Sequence, residues 1–176
     1  MTVRESELAM RRRLGASEHN MLITQGNLAA TYEELGRYEE ALEIKREVYI
    51  GRLKLSGKEN YDTIRDSNNY AVALTSQLRC EEARSLLRKT MPVARRVLGE
   101  NDETTLRARW IYAKTLWLDD GATLDHLREA VTTLEDTEWT ARRVLGGAHP
   151  TTEGIEEDLE MSRAALRARE TPSTSA

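Results

Sequence analysis

The chain has 176 residues, 26 of them basic and 30 acidic, for a formal net charge of −4. That length carries a sizeable core, and the mild acidity gives no electrostatic reason to expect nucleic acid as the main ligand. No stretch approaches the roughly 18 apolar residues of a membrane helix, so no membrane partner is expected. Cys80 is the sole cysteine, which excludes an internal disulfide and fits a reducing, cytoplasmic setting.

Ala, Leu, Glu and Arg dominate, with three prolines and ten glycines. Such a composition favours helix over the many short strands of a sandwich or barrel. In chain order, residues 2–15 read as a closing helix of a partial repeat, with Thr2 and Glu5 as a capping box. Residues 18–57, 60–99 and 102–146 then read as three helix pairs. In the first, Leu22, Leu28, Ala29 and Tyr32 mark one helix, Gly36 ends it, and Ala41, Ile44 and Val48 mark the next. In the second, Tyr70, Ala71 and Leu74 precede Ala83, Leu86 and Leu87. Asn60 and Asp102 are expected to cap the helices that follow them. Pro92 falls inside a predicted helix, where a kink or break is expected. Pro150 suits the first turn of a capping helix over 151–169. The acidic run Glu153, Glu156, Glu157, Asp158 and Glu160 reads as that helix's solvated face, marking a true end of the array. Residues 170–176 read as a disordered tail.

Three markers recur in one register. Asn27-Leu28-Ala29 returns as Asn69-Tyr70-Ala71 (69 − 27 = 42) and, more weakly, as Ile111-Tyr112-Ala113. Glu39-Glu40-Ala41 returns as Glu81-Glu82-Ala83, again 42 on, and as Arg128-Glu129-Ala130 after 47. Gly15, Gly57, Gly99 and Gly146 lie 42, 42 and 47 apart. The five extra residues of the last unit fall around Asp119-Asp120-Gly121. A fixed period of this length is the mark of stacked helical repeats, all-α and built of antiparallel helix pairs.

The residues Asn27-Leu28-Ala29, Gly36-Arg37-Tyr38-Glu39-Glu40-Ala41 and Leu145-Gly146-Gly147-Ala148-His149-Pro150-Thr151-Thr152 give a pattern that resembles the 42-residue tetratricopeptide repeat of kinesin light chains and their relatives. The resemblance covers about residues 10–152. It implies a right-handed superhelix, or solenoid, whose first helices line a concave groove that holds a peptide of a partner protein. The family's heavy-chain-binding heptad segment is not found here, so a motor-adaptor role does not follow. By position, the resemblance implies Asn27, Arg65, Asn68, Asn69, Arg107, Trp110 and Lys114 as groove residues. Ile111 stands where the first two units have Asn. The chemistry suits the role: Asn pairs with both amide and carbonyl, Arg forks onto carboxylates, and Trp anchors apolar groups.

No enzyme is expected, nor any cofactor or metal. His19, His126 and His149 lie far apart without ligand spacing and read as turn or capping residues. Cys80 begins a predicted helix in the place of Tyr38 and reads as packing. There is no Gly-rich phosphate loop, nucleophile elbow or metalloprotease motif. A competing reading is a structural or self-associating module, favoured by the half-repeat at the N-terminus, which exposes an apolar face unless capped.

Overall fold

The computed structural model describes residues 17–171, with Ser6, Met10 and Gly15 before them. Among these residues there are seven long helices and no strand. They are α1 (Glu18–Glu34), α2 (Tyr38–Ser56), α3 (Tyr61–Ser76), α4 (Cys80–Leu98), α5 (Glu103–Trp117), α6 (Leu124–Val144) and α7 (Pro150–Glu170). Each helix packs on the next in sequence, and α3 also touches α5, as α5 touches α7. The chain is therefore an all-α solenoid. The capping box expected at Thr2 and Glu5 lies outside the described residues, as do 172–176.

Local chemistry sets the helix starts. The Asn60 side chain accepts from the Asp62 amide at 2.9 Å, and Asp102 from Thr104 at 2.8 Å. Ser17 caps α1, and Thr123 with His126 forms a capping box on α6. His149 caps α7, its Nδ1 accepting from the Thr151 amide at 3.2 Å, with Pro150 in the first turn. These bonds satisfy amides that the first helical turn leaves without a partner.

Small residues seat the pairs. Ala29, Ala71 and Ala113 on the first helices, and Ala41, Ala83 and Ala130 on the second, are all fully buried. Around them, among the described residues, the core forms three clusters. One centres on Leu28, Tyr32 and Ala41, one on Leu74, Leu87, Ile111 and Leu116, and one on Leu106, Leu134 and Ile155. Trp117 packs against the second and third.

Several expectations are corrected. Helix α4 runs through Pro92 without a break. Pro92 is exposed, as is Arg88, whose carbonyl has no amide hydrogen at position 92 to accept from. His19 lies in the first turn of α1 rather than in a turn between repeats. Asp158 is not on a solvated face but 4% exposed, whereas Glu153, Glu157 and Glu160 do face solvent. Glu170, expected in the tail, ends α7 and pairs with Arg128 at 2.9 Å.

Candidate functional site

The face formed by α1, α3 and α5 carries a continuous trough. A cleft of 570 Å³ opens between α1 and α3, walled by Ile23, Asn27, Arg65, Asn69 and Val72 and reaching Arg107 on α5. A smaller hollow of 110 Å³ lies between α3 and α5, bounded by Tyr61, Arg65, Asn69, Glu103 and Arg107. A third cavity of 250 Å³ lies further along, mostly apolar, between Val72, Thr75, Trp110, Ile111 and Leu118. Arg107 borders all three. It is exposed, and among the described residues its guanidinium makes no ion pair or hydrogen bond. The side-chain amide of Asn69, half-buried beside it, likewise has no partner among the described residues.

The other expected groove residues divide into two groups. Asn27 and Arg65 line the 570 Å³ cleft with Asn69. Arg65 is held by Asp62 at 2.9 Å and Asp66 at 3.2 Å, so its charge is largely answered from within the chain. Asn68 is 2% exposed, and its amide donates to the Thr104 carbonyl at 2.9 Å, tying α3 to α5. Trp110 and Lys114 border the apolar cavity but are bound by α7: the Asp158 carboxylate accepts from Trp110 Nε1 and, at 3.0 Å, from Lys114 Nζ. A Cβ on Gly154 would lie 2.4 Å from the Trp110 ring, so glycine there lets α7 press against the indole.

Sequence reasoning missed the polar floor of the cleft. Arg52 on α2 is 1% exposed; its Nε donates to Asp66 at 3.2 Å, and its Nη1 donates to His19 Nδ1 at 2.8 Å. The signal was present in the repeat register. The places equivalent to Arg52 hold Ala94 (52 + 42) and Ala141 (94 + 47), so a long cation there breaks the pattern.

Away from the trough, Cys80 is 3% exposed, and burial followed by the nearby Asp119 carboxylate pushes its thiol up from its ordinary pKa. A buried, protonated thiol is inert. Its counterpart Tyr38 is by contrast exposed. Asp119 is held below the usual carboxylate range, first by the Gly121 amide and then by Arg84, whose Nη2 reaches it at 2.8 Å. Among the described residues no cluster of His, Cys, Asp and Glu is placed to hold a metal, and no helix is long and apolar enough to cross a membrane.

The tetratricopeptide repeat family profile matches residues 22–62 and 68–103. No curated protein matches the sequence. Among solved structures, the fold is similar to that of a Podosopora anserina protein assigned as a kinesin light chain with nearly identical TPR-like repeats. The TM-score is 0.71, with 22% identity over 95% of this chain and 77% of that one. A point variant of the same protein superposes with a TM-score of 0.74, also at 22% identity and the same coverage.

Proposed function

We propose that the chain, two stretches of which match the tetratricopeptide repeat profile and whose fold is similar to that of a kinesin light chain-like repeat protein, is a non-catalytic scaffold that holds an extended segment of a partner protein in its trough. Folds of this type serve generally in protein interaction. The observation that carries the finer reading is Arg107. A guanidinium at the meeting point of three cavities, with no ion partner among the described residues, is suited to a carboxylate of the partner. Asn27 and Asn69 flank it with donors and acceptors for peptide backbone. Asn68, Trp110 and Lys114 contribute by shaping the walls. The outer face of α7, with Glu153, Glu157 and Glu160 exposed, favours this reading over end-to-end stacking there. A cytoplasmic setting, with no nucleic acid, membrane or cofactor involved, completes the proposal.

Panning a peptide-display library against the parent, an Arg107→Ala variant and an Asn27→Ala/Asn69→Ala variant tests it. Peptides selected on the parent should carry an acidic residue and bind Arg107→Ala about tenfold more weakly, as expected for loss of a charge-assisted contact. Enrichment that survives in both variants would place the binding site elsewhere.

A further inference from the structure

The three junctions between successive first helices are filled in three ways. At the second, Asn68 reaches from α3 to Thr104 on α5. At the third, Trp110 reaches from α5 over Gly154 to Asp158 on α7. The same place on α1 is Gly26 (68 − 42 = 26), and a Cβ built there meets nothing within 4 Å. The residues behind the junctions differ as well. Ala94 and Ala108 back the second, and Ala141 and Ile155 the third, all at most 1% exposed. At the first, Arg52 and Asp66 occupy those places. A guanidinium and a carboxylate take far more room than two methyl groups. Accordingly no Cα of α1 comes within 8 Å of one on α3, whereas α3 with α5 and α5 with α7 do approach that closely. The 570 Å³ cleft is the gap that results.

We propose that Gly26 and the buried Arg52–Asp66 pair are positioning residues that hold the trough open at its first junction, and so set which side chain of a bound peptide it accepts there. The inference rests on the peptide-binding reading above. Both features are locally unfavourable: a mid-helix glycine loses backbone entropy, and a buried ion pair is seldom more stabilising than apolar packing. The same chain fills the places equivalent to the ion pair with apolar residues twice. Two unfavourable choices at one junction, together with the cleft they leave, mark a place where stability gives way to function.

Two readouts test this. The first needs no ligand: an Ala30→Cys/Asn69→Cys pair in a Cys80→Ser background. Disulfides need Cα atoms within about 7 Å, so the pair should stay reduced under mild oxidation. It should cross-link once Arg52→Ala/Asp66→Ala is added. Ready cross-linking before that addition would overturn the held-open junction. The second readout uses the peptides selected on the parent. Gly26→Trp fills the cleft and should weaken them about tenfold, while Gly26→Ala, adding one methyl group, should leave them within about twofold. Unchanged binding to Gly26→Trp would sink the inference and leave the trough reading standing. A parent that selects no peptide would instead sink the trough reading, with the cross-link still deciding whether the junction is held open.

Discussion

The first junction of the array and the two that follow share one frame but close it with opposite chemistry. In the later two, Ala94 and Ala108, and Ala141 and Ile155, are small or apolar and buried at the junction, and Trp117 joins the two core clusters. In the first, Arg52 reaches Asp66 and His19, and Leu28, Tyr32 and Ala41 form a cluster of their own. Within a pair, the fully buried alanines hold the geometry in every unit. Between pairs, the junction residues are free to vary, so the array changes its groove without changing its fold.

The comparison breaks most visibly at Arg52. Arg52→Ala alone leaves the buried Asp66 with only its contact to Arg65 and frees the His19 ring. Removing one partner of a buried pair costs about 3 kcal/mol. Arg52→Ala/Asp66→Ala, which copies the second junction, should recover most of that loss. Urea unfolding of the two variants measures both. A double variant as unstable as the single one would mean that the ion pair is not a substitute for the alanines.

Helical glycines sharpen the contrast, because the open and closed junctions predict opposite signs. Gly154 lies under the Trp110 ring, and Gly154→Leu must push α7 away, costing about 2 kcal/mol by overpacking. Gly26 faces empty space, so Gly26→Ala should stabilise by about 0.7 kcal/mol through helix propensity. Thermal melts of the two variants should move in opposite directions. A shift of the same sign in both would remove the difference between the junctions.

The period was legible because packing residues repeat. Gly, Ala and Glu-Glu-Ala markers at one spacing fixed the helix pairs, and Asn60, Asp102 and Pro150 marked helix starts. The trough was less legible, since the side chains that shape it are those that depart from the repeat. Asn68 and Trp110 occupy one register position, yet one bonds a backbone carbonyl and the other a carboxylate on α7. Asp158 sits among glutamates, so composition alone made it look solvated, although it is buried under two cationic or donor groups. Gly26 and Arg52 carried information only as differences from their counterparts 42 residues on. Pro92 did not break its helix, and it lies on an exposed side of it.

The last expected effect reverses the comparison, for here the first unit is relaxed and the second strained. Helices α1 and α3 end in the same turn: the Gly36 and Leu78 amides donate to Glu33 and Thr75 carbonyls at 3.0 Å, and those of Arg37 and Arg79 to Tyr32 and Leu74 at 2.8 and 2.9 Å. That turn needs a left-handed residue at its corner. Gly36 takes φ 72° freely, but Leu78 is held at φ 58°, where its Cβ crowds the following carbonyl. Leu78 is also 62% exposed, so its side chain returns little packing energy. Leu78→Gly should therefore stabilise by about 1 kcal/mol, raising the melting temperature by a few degrees. The reciprocal Gly36→Leu should lower it by a similar amount. If Leu78→Gly lowers it instead, the Leu78 side chain makes a contact worth more than the backbone strain it imposes.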